Sequence, residues 1–256
     1  IDELQAATWN LQLVTKTSNN CTDSITKLIT VSPSPISDFS IADTAQCFNG
    51  HMISTENISF IQGDSIILNQ WIVNNSDTFS NYHIDSLVLQ NSGIIDIRLI
   101  TNTTHGCSDT LVKQAKLFAS PLADFSINDS TQCLDSNSFD FTNQSVISDG
   151  VMSYQWIIEN DTVASEHYDS ITFTKWGKYT IQLIATSNQN CTDTTKQNIY
   201  VYPMPLAAFI YLNNCLEDTM WFFDSSMVDS GNITKWFWDF KNGSTSGSQN
   251  PFTIYY

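Results

Sequence analysis

Six cysteines are the side chains of this sequence whose types and spacing carry chemistry. They fall in two recurring settings. Cys21, Cys107 and Cys191 each close a polar turn, written NNCTD, HGCSD and QNCTD. Cys47, Cys133 and Cys215 each follow a short segment led by Phe39, Phe125 or Phe209. Zinc sites use close ligand pairs such as C-x-x-C, and the sequence has none. An even number of cysteines in repeated contexts points instead to disulfides and an oxidising, extracellular setting.

Catalytic chemistry finds no matching pattern. His51, His83, His105 and His167 stand at unrelated positions, and a general base needs a positioned partner. There is no G-x-S-x-G elbow, no H-E-x-x-H and no phosphate-cradling glycine loop. We therefore assign no catalytic, cofactor-binding or metal-ligating residue and expect no enzyme. The acidic residues lack the D-x-D-x-D-G spacing of a calcium loop, which leaves Ca2+ at scattered loop carboxylates as the one ion to consider. The net charge is −16, with Arg98 the single arginine, so the surface repels phosphate and nucleic acid is excluded as a partner. No apolar run approaches the roughly 20 residues that span a bilayer, and no membrane span is expected in this segment. The start has no basic-then-apolar leader, so any export signal is expected outside this chain.

The elements that position the cysteines come in repeats. Cys21 to Cys107 is 86 residues and Cys107 to Cys191 is 84. Phe39, Phe125 and Phe209 keep a similar step, as do Trp71, Trp156 and Trp238. A period near 85 exceeds a solenoid unit and suits a small domain of roughly 100 residues. Charged residues are only 14% of the chain, while Asn, Ser, Thr and Asp are plentiful, which favours strands and turns over helices. Trp9, Leu11 and Leu13 alternate with polar neighbours, as do Ile25, Lys27, Ile29 and Val31. Around the Ser18–Cys21 turn these read as a hairpin. Pro33 and Pro35 then interrupt pairing. Residues 36–120 make one complete repeat, with a first strand over Asp38–Ile41. A loop carrying Cys47, a second strand near Ile53 and Thr55, a central strand over Gln70–Val73 and a closing hairpin around Cys107 follow. Residues 121–205 repeat this order. Residues 1–35 read as the C-terminal part of such a repeat and 206–256 as the N-terminal part. Roughly seven short strands per repeat argue tandem immunoglobulin-like β-sandwiches, all-β, on one string. Trp71, Trp156 and Trp238 are expected in the cores, between the sheets.

Tyr154-Gln155-Trp156 and Trp238-Asp239-Phe240 resemble the central Trp-Asp-Phe-Gly-Asp-Gly segment of PKD domains. Asn250-Pro251-Phe252 is similar to that family's later Asn-Pro stretch, and Gly177-Lys178-Tyr179-Thr180 to its Gly-Thr-Tyr strand. The Ala-Asp-Phe-Ser start and the Asn-x-Cys-Thr-Asp hairpin resemble tandem repeats of large Bacteroidota cell-surface proteins, including gliding-motility adhesins. The Gly-Asp-Gly turn itself is absent: Asn74-Asn75 and Glu159-Asn160 replace it, and Lys241-Asn242-Gly243 keeps a remnant. The resemblance implies a secreted or cell-surface, adhesin-like glycoprotein in which these repeats form a stalk or filament.

In a sandwich of this topology the two sets of cysteines occupy opposite ends of a domain, roughly 20 Å apart for strands of 6–7 residues. A disulfide needs Cα atoms within about 7 Å. Pairing across a domain junction, Cys47 with Cys191, therefore competes with pairing inside a repeat, Cys47 with Cys107. The others, Cys21, Cys107, Cys133 and Cys215, pair outside the fragment or within repeats. Asp-Ser/Thr steps recur at Ser24, Thr44, Ser65, Ser86, Thr110, Ser130, Thr162, Ser170, Thr194 and Thr219, and they resemble the O-glycosylation signal of Bacteroidota exported proteins. Trp176, Trp221 and Trp236 lack counterparts in every repeat. Exposed, they would stack on sugar rings; buried, they would be core.

Three functions remain open at this level. One is a non-catalytic stalk segment of a surface repeat protein, contacting neighbouring repeats. Another is a module that grips surface glycans. The third is a subunit of a head-to-tail polymer of identical chains. Its two end segments would combine into one domain, because together they match one period in length.

Overall fold

A computed structural model describes residues 6–254 apart from 160, 164, 166, 167, 213, 214, 216 and 217. Every regular element among the described residues is a β-strand. The chain divides into two compact units, Ile1–Ser120 and Pro121–Tyr256.

The first unit opens with β1 (Ala7–Lys16) and β2 (Thr22–Val31), an antiparallel two-stranded hairpin. Its seven further strands are β3 (Phe39–Ile41), β4 (Ala45–Cys47), β5 (Thr55–Asn57), β6 (Ile66–Val73), β7 (Asp77–Phe79), β8 (Gly93–Thr103) and β9 (Ser108–Phe118). They form two sheets, β3-β5 and β4-β9-β8-β6-β7. The long strand β8 alternates strictly: Ile95, Ile97, Leu99, Thr101 and Thr103 are buried, and the residues between them are not. That period of two is the pleat of a strand with one face on a core. The core gathers Phe39, Trp71, Ile97, Leu99 and Leu117. Phe39 meets Trp71 edge to face at 5.0 Å between ring centroids.

The second unit repeats the plan. Its strands are β10 (Phe125–Ile127), β11 (Thr131–Cys133), β12 (Phe139–Asn143), β13 (Met152–Ile158), β14 (Asp161–Val163), β15 (Tyr168–Ile171), β16 (Gly177–Ser187) and β17 (Thr192–Tyr202). They assemble as β10-β12-β15 and β11-β17-β16-β13-β14. Phe125 meets Trp156 at 5.1 Å in the same edge-to-face manner. A partial third copy follows with β18 (Phe209–Leu212), β19 (Thr219–Asp224), β20 (Trp238–Asp239), β21 (Thr245–Ser246) and β22 (Phe252–Ile254). Here β18-β19-β22 form one sheet and β20-β21 another. Phe209 meets Trp238 at 5.2 Å. Thus the fold is all-β, a tandem of immunoglobulin-like sandwiches, with one Phe–Trp ring pair per repeat.

Two details differ from the expected pattern. Cys47 and Cys133 do not lie in a loop; each ends a three-residue strand, β4 or β11, that runs parallel to the closing strand β9 or β17. The chain leaves the first sheet through turns in which Asp43 and Asp129 carboxylates accept the amides of Ala45 and Thr131. Those turns swing it onto the second sheet. A three-residue strand is too short for its alternation to show in sequence. Trp238 differs too: Trp71 and Trp156 are fully buried, whereas Trp238 is half-buried. Strands β8 and β16 cover Trp71 and Trp156, which pair with Leu99 and Leu183. Trp238 pairs with Ser246 of the short strand β21.

The missing Gly-Asp-Gly turn leaves its mark in the backbone. Asn74 and Asn75 both adopt left-handed φ, at 49° and 60°. Asparagine tolerates that region because its short amide bonds locally. The third-strand hairpin is therefore kept without glycine.

Each complete repeat is also tied at its leading end. Asp109 on β9 accepts the Ser37 amide at 2.7 Å, and Asp193 on β17 accepts the Ala123 amide at 2.8 Å. Lys113 donates to the Phe39 carbonyl and to Asp38, while Gln197 at the matching position donates to the Phe125 carbonyl. So the incoming chain is fastened to the closing strand of its own repeat. The Ser37 amide, the largest influence, holds the Asp109 carboxyl below the usual carboxylate range, against a partly opposing burial.

Two outcomes follow. Trp71→Ala or Trp156→Ala removes a fully buried ring and destabilises its repeat by about 3–5 kcal/mol, whereas Trp238→Ala costs distinctly less; denaturant unfolding of the three variants measures the ranking. Because Asp109 is depressed only in the folded state, its contribution is complete above the ordinary carboxylate range and fades as pH falls through the folded value. Asp109→Asn keeps an acceptor but no charge, so it loses about 1 kcal/mol at pH 7 and shows a shallower acid limb in urea midpoints taken from pH 5 to pH 2.

Candidate functional site

The candidate site is the pair of ends each repeat presents: a hairpin turn with one cysteine and a sheet-switching strand with the other. The turn is built three times in one way. Thr17, Thr103 and Ser187 each donate the backbone amide to the carbonyl of the cysteine four residues on, at 2.9, 3.0 and 2.8 Å. Their hydroxyls accept the amides of Cys21, Cys107 and Cys191 at 3.2, 3.2 and 3.1 Å. The residue before each cysteine, Asn20, Gly106 or Asn190, is left-handed, with φ of 67°, 82° and 62°. This three-residue loop with a left-handed last position is a standard way to turn a hairpin, and Asn or Gly meets its demand. Sequence alone suggested a polar turn; the Ser/Thr hydroxyl that fixes each cysteine amide was not singled out.

At the turn of β8 and β9 the loop before β6 joins in. Asp64 accepts the Thr104 hydroxyl, and His105 Nδ1 lies 2.9 Å from its second oxygen. Those two contacts, the hydroxyl first, hold the Asp64 carboxyl well below the usual carboxylate range. The other described histidines have local structural partners. His51 Nε2 accepts the Leu89 amide at 3.0 Å and its Nδ1 contacts the Phe48 carbonyl, while His83 pairs with Asp85 at 2.7 Å. His167 lies outside the described residues.

The second cysteine sits at the far end of the closing strand. Cys47 is level with Phe118 and Cys133 with Tyr202, the last residues of β9 and β17. Cys107 and Cys191 precede the first residues of those strands. Eleven residues of β9 separate Cys107 from the Cys47 level, roughly 35 Å at the rise of a strand. Gln46 and Gln132 secure this end. Each side-chain amide bonds both ways to the backbone across the loop, Gln46 with Met52 and Gln132 with Ser138. Cys47 and Cys191 are both disulfide-bonded. Cys21, Cys107, Cys133 and Cys215 are free thiols, and all but half-buried Cys107 are exposed.

The Asp-Ser/Thr steps prove to have structural work. Asp23, Asp64 and Asp218 each accept the amide of the next residue, Ser24, Ser65 or Thr219. Asp43 and Asp129 make the sheet-switching turns beside Thr44 and Ser130, and Asp109 and Asp193 fasten the leading strand beside Thr110 and Thr194. Ser170 donates to Asp140 at 2.7 Å. Nine of the ten hydroxyl residues are exposed, Ser86 and Thr162 among them, and Thr219 is half-buried. In seven of the ten steps the aspartate carboxylate satisfies a backbone amide where a strand starts or turns.

Residues 206–256 hold an open trough of about 490 Å³, lined by Phe209, Phe222, Trp236, Trp238 and Phe240. Trp236 donates its indole N–H to Asp224 at 2.8 Å. The Ser226 hydroxyl is the largest of several hydrogen bonds that lower the Asp224 carboxyl to about 2. Trp176 and Trp221 are exposed, and Trp221 lies 5.1 Å from the Phe252 ring. Among the described residues no three His, Cys, Asp or Glu side chains form a metal-holding group. No described helix is long and apolar enough to cross a membrane.

Comparison with known proteins bears on the fold. No protein-family model matches the chain, and no curated protein matches it. The chain is similar to the N-terminal eight immunoglobulin domains of Down Syndrome Cell Adhesion Molecule, at 10% identity and a TM-score of 0.50, over 90% of this chain and 35% of that one. It is also similar to the PKD1 domain of Vibrio anguillarum Epp, at 27% identity and a TM-score of 0.28, over 32% of this chain and 93% of that one. A Ca2+-stabilized, ice-binding adhesin of an Antarctic bacterium is similar at 7% identity and a TM-score of 0.31, over 96% of this chain and 72% of that one. The first of these, with the sheet order of each repeat, makes the chain a tandem of immunoglobulin-like sandwiches.

Proposed function

We propose that this chain is a non-catalytic stalk segment of a secreted or cell-surface, adhesin-like repeat protein, with domain boundaries at 35/36, 120/121 and 205/206 and junctions clamped by disulfides. The observation that carries this reading is the oxidation pattern: Cys47 and Cys191 are disulfide-bonded while the other four cysteines are free. We take these two as partners of each other. Chain reach supports the pairing. Strand β9 ends at Phe118, level with Cys47, and Ala123, five residues on, is held by Asp193, two residues past Cys191. Five residues span at most roughly 18 Å, so the link between these two points is short. A bridge beside so short a linker limits bending at the junction. Disulfides persist in oxidising compartments, which fits an extracellular location.

A second reading, glycan binding, is favoured by one observation. Trp221 and Phe252 form an aromatic pair on an exposed face, and Trp176 is exposed elsewhere in the same unit. Flat rings in water suit sugar faces. Binding on a glycan array that disappears in Trp221→Ala would support this reading, and silence of the unaltered protein across the array would retire it.

Peptide mapping without reduction should recover Cys47 linked to Cys191; a Cys47–Cys107 peptide would overturn the junction bridge. Small-angle scattering should then show a wider spread of conformations for Cys47→Ser than for the unaltered chain, with the unfolding of the individual repeats little changed. Unchanged scattering would mean that the bridge does not stiffen the chain.

A further inference from the structure

We propose that the outward face of the β17-β16-β13 sheet binds an acidic polysaccharide at the end where Trp176, Lys178, Tyr200 and Tyr202 gather. The rings lie under its sugars and the lysine faces its carboxylates. The proposal deepens the glycan reading above and rests on it for the ligand class, but places the site away from Trp221 and Phe252.

Charge separates the two faces of this sheet. The alternation that buries Trp156, Ile181, Leu183, Ile199 and Val201 sends the residues between them outward. The outward set includes Lys178 and Lys196 and no carboxylate. That is a marked exception in a chain with 26 Asp and Glu against 10 Lys and Arg. The one acid in the three strands, Asp193, falls on the other parity and is engaged by the Ala123 amide. The first repeat lacks this arrangement. Gly93 pairs with Leu117 as Gly177 pairs with Val201, which aligns Ser92 and Ile94 with Trp176 and Lys178. Its outward face also carries Asp96.

Register gathers the rings. Lys178 pairs with Tyr200, and its ammonium lies 5.9 Å from the centroid of that ring. Beyond the Gly177–Val201 pair, the next positions on the two strands are Trp176 and Tyr202. Trp176, Tyr200 and Tyr202 are 44%, 39% and 52% exposed.

The segment that carries Trp176 is fixed from its inner side. Asn137 donates to the Phe173 carbonyl at 2.9 Å and accepts the Phe173 amide at 2.7 Å. The Phe173 ring lies 4.0 Å from that of Tyr179, whose hydroxyl donates to the Lys175 carbonyl at 2.7 Å. These contacts leave the indole out of the packing and set its place beforehand, so binding orders little new chain.

Ring faces in water suit the C–H faces of sugars. An ammonium held beside a ring by cation–π attraction adds a partner for a carboxylate and nothing for a neutral sugar. The net charge of −16 does not cancel this attraction, because charges farther than about 8 Å are largely screened at physiological salt.

The experiment is titration calorimetry of the whole chain with sodium polygalacturonate, its methyl ester, dextran and single-stranded oligo-dT, at low and physiological salt. Polygalacturonate should bind, less tightly as salt rises, and the methyl ester and dextran at least about tenfold more weakly. Trp176→Ala should weaken binding at least about tenfold, and Lys178→Gln should flatten its salt dependence. Trp221→Ala should leave binding unchanged. Trp176 and Lys178 are exposed, so the denaturant midpoint of each variant should match that of the unaltered chain. Equal affinity for the methyl ester would overturn the acidic ligand, and equal affinity for oligo-dT would overturn the sugar. Loss of binding in Trp221→Ala but not in Trp176→Ala would overturn the site and leave the glycan reading standing. Silence toward every polysaccharide probe would overturn the proposal, while the glycan array decides the broader reading separately.

Discussion

Covering one tryptophan ring with a long hairpin is the contact on which each repeat depends. The third strand carries the indole, the first strand presses a phenylalanine edge against it, and the closing hairpin supplies the aliphatic wall. Where all three are present, the ring is fully buried and the strands around it alternate cleanly. In residues 206–256 the phenylalanine and the indole keep their edge-to-face contact, yet the ring stays half-buried and a trough remains. The aromatic pair organises a half-sandwich but does not close one. Closure comes from the hydrophobic effect, which scales with the apolar area that the hairpin removes from water.

The ends of each repeat follow from that arrangement. A hairpin long enough to cover the ring is long enough to hold its two ends far apart. The turn cysteine and the switching-strand cysteine therefore cannot meet within one repeat. Aspartates then fasten the incoming strand to the closing strand, so the leading and trailing ends are defined by the same element.

Much of this was legible in the residues. The 85-residue period, the hairpins around Cys21, Cys107 and Cys191, and the third-strand tryptophans stand out because alternation and turn chemistry are local. Strands β4 and β11 did not stand out, since three residues carry no period and their parallel pairing is with a strand some seventy residues away. The aspartates of the Asp-Ser/Thr steps also satisfy backbone amides, two of them of residues about seventy positions away, which no spacing rule reveals.

By itself the sequence determined the all-β architecture, the repeat length and the identity of the turns, because those depend on each residue's neighbours in the chain. It also placed six cysteines in two classes. Only the tertiary structure decided which cysteines are oxidised, that Cys47 and Cys133 belong to sheet-switching strands, and that Trp238 lies under an open wall. Those outcomes depend on which distant strand covers which face, and burial is a property of the assembled sheets rather than of any segment within them.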